Sequence, residues 1–291
     1  MITPASFTES LMFSTLRVET RNAAGEVGVG TAFFFETELS HDRVLQLLIT
    51  NRHVVAGAVT GTLRFHLAKS REDFVPSGET FTLTVGEEGN AFESAWVAHP
   101  DPTVDLCGLP LWGLLGHLRS QNKRLYFQSV DKSFTYDDIA LASLTAVENV
   151  IMVGYPIGLD DDVHNLPLVR RGITATHPAV DYRGRRQGVV DMACFPGSSG
   201  SPVFLYDSGT YFDKRSLTLR SGSRQALLGV LFAAPHHTRE GTIVVRDIPT
   251  AATRRVPIPI TSSMSHLGYY IKASQVVRLA EHVRNCAQAQ S

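Results

Sequence analysis

Between residues 11 and 112 the chain alternates short apolar runs with turn chemistry, a rhythm that suits strands better than helices. The apolar pieces include 45–50, Leu63-Arg64-Phe65-His66-Leu67, Phe81-Thr82-Leu83-Thr84-Val85 and Trp96-Val97-Ala98, while Ala23-Ala24-Gly25-Glu26 supplies a turn. Spacing of this sort argues an all-β barrel. Residues 112–138 break the rhythm and are expected to cross to a second set of strands at 139–144, 150–154, 168–176, 188–192, 202–205 and 226–232. An amphipathic helix closes the chain. Ser274 is its expected N-cap, and Val276, Val277, Leu279, Ala280 and Val283 are apolar between residue 275 and about residue 286.

Composition excludes several classes. With 43% hydrophobic and 19% charged residues in 291, the chain is expected to bury a large core and not to be disordered. Its 27 basic and 28 acidic residues give no electrostatic case for binding nucleic acid or an anionic membrane. No apolar run is long enough for a membrane span. Met1 to Leu16 lacks a basic start and a long apolar stretch, so no signal peptide is expected. Cys107, Cys194 and Cys286 lie far apart and cannot all pair, which favours a reducing, cytoplasmic setting.

The stretch with the most chemical content is Phe195-Pro196-Gly197-Ser198-Ser199-Gly200-Ser201-Pro202, directly before the apolar run Val203-Phe204-Leu205. Read blandly, it is a Gly/Ser turn between strands. Read chemically, Ser199 is an exposed nucleophile with Gly two residues before it and Gly directly after it. Gly197 can adopt a backbone conformation that aims its N–H the same way as that of Ser199, and two convergent donors make an oxyanion hole. A serine hydroxyl is a poor nucleophile at neutral pH and needs a base, itself held by an orienting group. Upstream, 47–50 reads as a buried strand running into a turn that carries His53, and Asp105 lies between apolar neighbours at the start of another strand. The order His, Asp, Ser, with gaps of 52 and then 94 residues, is that of chymotrypsin-type triads and not of the other common triad orders.

These stretches resemble the trypsin-like serine proteases of the bacterial, HtrA-like kind. Gly28-Val29-Gly30-Thr31-Ala32-Phe33-Phe34 is similar to the family's first-barrel strand, Thr50-Asn51-Arg52-His53-Val54-Val55 to its histidine motif, and Asp105-Leu106 to its aspartate site. Gly154-Tyr155-Pro156-Ile157-Gly158-Leu159, the loop 191–202 and His266-Leu267-Gly268-Tyr269-Tyr270-Ile271 complete the likeness, which runs from about residue 10 to about residue 285. The resemblance implies two six-stranded antiparallel β-barrels, residues 1–125 carrying His53 and Asp105 and residues 126–291 carrying Ser199 and the closing helix. It implies no appended peptide-binding module. Activity would be hydrolysis of peptide bonds in a protein or peptide substrate through an acyl-enzyme, with Gly197 and Ser199 N–H groups as oxyanion donors and no metal or organic cofactor. The primary pocket would have Ala193 at its base, Phe232, Ala233 and Ala234 on one side and Gly268 on the other. No carboxylate stands there, so a small or medium apolar residue is expected before the cut bond.

Two departures matter. Ser198 replaces the aspartate that, in digestive relatives, pairs with a newly cut N-terminus, and Ser201 replaces a glycine. A regulatory protein partner, and a monomer or small homo-oligomer, are compatible with the pattern. The alternative is a latent or inactive protease-fold protein acting as a regulated binding partner. Arg170 and Arg171, adjacent on a strand, read as one solvated and one rim-covering side chain. Asp160-Asp161-Asp162 with His164 reads as a solvated loop and not as a metal site. Insertions at 206–225 and 235–266 bracket the expected cleft.

Overall fold

The computed structural model describes residues 1–40, 43–86, 92–156, 161–234, 236–240, 260–264 and 266–289. In chain order its elements begin with α1 (Phe7–Leu11), β1 (Thr15–Asn22), β2 (Val27–Ser40), β3 (Arg43–Thr50), α2 (Arg52–Val55), β4 (Ala58–Ala68) and β5 (Pro76–Val85). Next come β6 (Val97–Ala98), β7 (Cys107–Pro110), α3 (Trp112–Ser120), β8 (Leu125–Tyr126), α4 (Asp138–Ala142), β9 (Asn149–Gly154), β10 (Leu168–Thr174) and β11 (Gln187–Asp191). The chain ends with β12 (Pro202–Asp207), β13 (Thr210–Asp213), β14 (Thr218–Ser221), β15 (Arg224–Ala233), β16 (His236–Glu240), β17 (Ile260–Met264), β18 (Leu267–Lys272) and α5 (Ala273–Ala289).

Strands β9, β10, β11, β18, β15 and β12 close into a six-stranded antiparallel barrel. The earlier strands form an eight-stranded sheet ordered β5-β4-β1-β2-β3-β7-β6, with β8 paired to β4. The mostly β architecture with a C-terminal helix is therefore as expected, with eight strands in the first sheet where six were expected. The extra pairings come from β6 and β8, which at two residues each are too short to show an alternating pattern.

Alternation within strands sends side chains to different cores, because successive side chains point to opposite faces. On β2, Phe33 and Phe35 enter one cluster and Phe34 another; on β3, Leu47 and Ile49 part from Leu48 in the same way. Ile151 and Val153 on β9 join Phe33 and Phe35 together with Val276, Leu279 and Val283 of α5, whereas Val150 and Met152 face the inside of the closed barrel. The shared middle core fastens the first sheet, the closed barrel and α5 to one another. It also fixes the depth at which the loops between β3 and β4 and between β11 and β12 meet.

Three local readings change. Residues 139–144, expected as a strand, contain α4; the Asp137 carboxylate caps it by accepting the Ala140 N–H at 2.7 Å. Helix α1 was not expected, although Ser6 and Glu9 form a reciprocal capping box that the sequence displays. Helix α5 includes Ser274 within its first turn and begins at Ala273. The two insertions contain the hairpins β13–β14 and β16–β17. Among the described residues no helix is long and apolar enough to cross a membrane.

Candidate active site

His53 lies on α2, one turn of helix leading out of β3, and α2 is pinned by its buried Val54 and Val55. The His53 backbone N–H donates to Asp105 Oδ1 at 3.0 Å, and its ring Nδ1 lies 2.5 Å from Asp105 Oδ2. A carboxylate accepts only, so Nδ1 carries the proton and Nε2 is left as the basic nitrogen. Asp105 is itself held by the buried Asn51, whose Nδ2 donates to the Asp105 carbonyl at 2.9 Å. His53 is half exposed at 48%, so the pair is partly screened by water.

The loop carrying Ser199 is tied down from the first sheet. Thr31 on β2 donates its N–H to the Ser199 carbonyl at 2.8 Å and its hydroxyl to the Gly197 carbonyl at 3.0 Å. The same hydroxyl accepts the Tyr155 N–H at 3.0 Å, and the Thr31 carbonyl accepts the Thr50 hydroxyl at 2.6 Å. Next to Thr31, Gly30 lets Val54 seat closely, since a Cβ at Gly30 would stand 2.4 Å from Val54 Cγ1. Ser199 and His53 are thus anchored to neighbouring residues of one strand. Gly200 is required by the same packing: its φ is +87°, and a Cβ would meet the Thr31 carbonyl oxygen at 1.9 Å.

The turn before Ser199 follows from Pro196-Gly197. Proline fixes φ for the second residue of a turn, Gly197 takes φ +86° at the third, and the Ser198 N–H returns to the Phe195 carbonyl at 3.0 Å. This is the type II pattern. Within the loop, the N–H groups of Ser198, Gly200 and Ser201 reach the carbonyls of Phe195, Leu231 and Ser198. Those of Gly197 and Ser199 donate to no protein group among the described residues, while the carbonyls of both are engaged. The N–H groups of Ala193 and Cys194, earlier in the same loop, likewise donate to no protein group among the described residues, and those of Gly197 and Ser199 are the two that lie beside the serine. No hydrogen bond among the described residues joins the Ser199 hydroxyl to His53.

The residues expected to form the primary pocket are spread over two environments. Gly268 is packed by Cys194 and Leu231; a Cβ there would lie 2.5 Å from Cys194 Sγ. Ala234 packs against the same barrel interior, whereas Phe232 and Ala233 are half-buried, and Phe232 leans on the middle core and Tyr269. The Ala193 carbonyl accepts from Arg170 Nη1 at 3.1 Å. Burial pushes the Cys194 thiol up to about 11, which leaves it protonated and chemically inert at neutral pH. Asp191 is exposed at the end of β11. Beside His53 opens a cleft of about 340 Å³ bordered by Thr20, Glu26, Gly28 and Ala56.

Of the acidic loop, Asp161, Asp162 and His164 are described; His164 Nδ1 lies 2.8 Å from Asp161 Oδ2, and Asp160 falls outside the described residues. Among the described residues no group of three His, Cys, Asp or Glu side chains is placed to hold a metal ion. All three cysteines are free thiols. Sequence reasoning assigned no role to Asn51 or Thr31, and read Arg170 and Arg171 only as one solvated and one rim-covering side chain. Asn51 and Thr31 lay inside the quoted motifs, so their positions were signalled although their contacts were not.

The chain belongs to the trypsin-like peptidase domain family, whose profile matches residues 30–211. Among solved structures it is similar to a protease from M. tuberculosis in its active form, at 15% identity over 95% of this chain and 85% of that one, with a TM-score of 0.44. It is also similar to an HtrA-type protease with a decapeptide, at 12% identity over 97% of this chain and 67% of that one, TM-score 0.44. A third is an inactivated protease paralogue from the scabies mite, at 12% identity over 94% of this chain and 96% of that one, TM-score 0.43. No curated protein matches the chain.

Thr31 gives a stability test of this geometry. Thr31→Val keeps the shape but removes the hydroxyl, leaving the Gly197 carbonyl without it. A buried polar group so stranded costs about 1–3 kcal/mol. Denaturant unfolding of the variant is expected to show a lowered midpoint with an unchanged slope; a midpoint equal to wild type would remove Thr31 from the loop's anchorage.

Proposed function

We propose that the chain is a serine endopeptidase that works through His53, Asp105 and Ser199. The observation that carries this reading is the pair of unclaimed N–H groups, Gly197 and Ser199, in the loop that presents the serine. They are the donors a tetrahedral oxyanion needs, and each such donor is worth about 3–4 kcal/mol in the transition state. In the proposed reaction Ser199 Oγ attacks the peptide carbonyl while His53 Nε2 takes its proton. The imidazolium formed is stabilised by Asp105 and then protonates the leaving amine, and water hydrolyses the acyl-enzyme by the reverse sequence. Because His53 delivers that proton, the cleft beside it would receive residues on the leaving-group side of the cut bond. A small or medium apolar residue before the cut is in keeping with the close packing of Gly268, Cys194 and Leu231.

One observation favours the second reading, a latent enzyme that a partner completes: Ser199 does not hydrogen-bond His53 in the free chain. Catalytic hydrogen bonds often tighten only once substrate is bound, so the two readings divide on activity alone. Incubating the purified chain with an unmodified peptide library and sequencing new N-termini separates them. Cleavage that the Ser199→Ala protein lacks supports the endopeptidase; intact peptides with both proteins would support latency.

A further inference from the structure

The two adjacent arginines of β10 have opposite fates. Arg171 is exposed, with Nη2 reaching Asn149 Oδ1 at 3.3 Å. Arg170 runs underneath the nucleophile loop, where its Nη1 donates to Ser198 Oγ at 2.7 Å and to the Ala193 carbonyl at 3.1 Å. Its Nε and Nη2 are buried and have no partner among the described residues, and no carboxylate there pairs with it. Burial lowers its pKa, with the neighbouring Cys194 opposing the shift.

Burying a cation that finds, among the described residues, only one hydroxyl and one carbonyl is a costly way to hold a fold together. Where those two bonds fall gives it a different use. Ala193 and Ser198 bracket the turn Phe195-Pro196-Gly197-Ser198, so one nitrogen ties the strand end before the turn to the last residue of the turn. The Ser198 hydroxyl also accepts weakly from the Phe195 N–H at 3.4 Å, which adds a second tie across the same residues. Pro-Gly is compatible with more than one turn. In type I the central peptide would be flipped relative to type II, and the Gly197 N–H would point away from the site. Glycine puts little steric barrier in the way of that flip.

We propose that Arg170 is a positioning residue for the oxyanion site, acting through Ser198 and Ala193 to hold the turn in the form that turns the Gly197 N–H toward the substrate. The proposal rests on the endopeptidase reading. It gives Ser198, which replaces the expected aspartate, a role of its own: a neutral acceptor for an internal cation already built into β10. The turn would then be set on folding, with no cut needed elsewhere in the chain.

The test uses the full chain and a fluorophosphonate, whose phosphonyl oxygen needs the same donors. Wild type, Arg170→Met, Arg170→Lys and Ser198→Ala are compared for labelling rate against pH and for Tm. Arg170→Met is expected to label about 100-fold more slowly, the scale of one lost oxyanion donor. Its Tm should be equal to or above wild type, because a poorly paired buried charge has been removed, and the pH profile of labelling should keep its shape. Arg170→Lys should recover part of the rate, since an ammonium can still reach an acceptor, and Ser198→Ala should slow labelling in the same direction. Wild-type labelling rates in Arg170→Met and Ser198→Ala would overturn the proposal. So would slow labelling in Arg170→Met that tracks a fall in Tm and that Arg170→Lys does not rescue, because that pattern belongs to a merely structural arginine. An unlabelled wild type would contradict the endopeptidase reading itself and this role with it.

Discussion

Replacing Ser199 with Ala is expected to lower kcat for peptide hydrolysis by about 10⁶-fold, the scale seen when a triad nucleophile is removed. The reason lies in what remains. His53 and Asp105 keep their two contacts, and Gly197 keeps its N–H, but no oxygen is left to form the acyl-enzyme. The fold should be indifferent, because the Ser199 contact to the first sheet runs through its backbone carbonyl and Thr31, not through the hydroxyl. Steady-state kinetics and a melting curve on the same preparation check both halves. A large fall in Tm would mean that the hydroxyl holds the loop together and that the activity loss says nothing about nucleophilic attack.

Asp105→Asn is expected to cost about 10⁴-fold in kcat, through the wrong histidine tautomer. The two His53 donors reach different carboxylate oxygens, the backbone N–H to Oδ1 and Nδ1 to Oδ2. Asparagine supplies only one acceptor oxygen. The backbone N–H can do nothing but donate, so that oxygen stays with it and the amide NH₂ turns toward Nδ1. An amide NH₂ must donate, which makes Nδ1 the acceptor and moves the proton to Nε2, where it faces the serine. The base is then blocked with its geometry intact. Affinity for a peptide that binds without being cut should be unchanged; if affinity fell in step with kcat, Asp105 would be shaping the cleft and not setting the tautomer.

The sequence displayed the reactive groups far better than it displayed their supports. Ser199, His53 and Asp105 sit in short local patterns, Gly-Ser-Ser-Gly, a strand running into Asn-Arg-His, and Asp-Leu ahead of a strand, and each pattern carries its chemistry within a few residues. Thr31 binds across 124 and 166 residues, to Tyr155 and Gly197, and no local pattern encodes such a reach. Arg170 and Arg171 were read as one solvated and one rim-covering side chain because alternation tells only that they take different faces, and the face Arg170 takes lies under a loop 28 residues further on. Segment 139–144 misled for the opposite reason. Its apolar run fits a short strand, but Asp137 capping the Ala140 N–H settles it as helix. Five strands of the closed barrel were legible in the apolar pattern and β18 only in the family resemblance, while the two-residue strands of the first sheet exist only through their partners. The side chains of the 235–266 insertion, which was expected to flank the cleft, lie outside the described residues apart from His266.

The central claim is that Ser199 is a nucleophile activated by His53 and backed by two backbone donors. Its most direct test is to treat the purified chain with a fluorophosphonate, measure the intact mass and map the modified residue by peptide sequencing. A single adduct on Ser199, absent from the Ser199→Ala and His53→Ala proteins, is the expected result. No adduct, or an adduct on Ser199 that survives loss of His53, would contradict it.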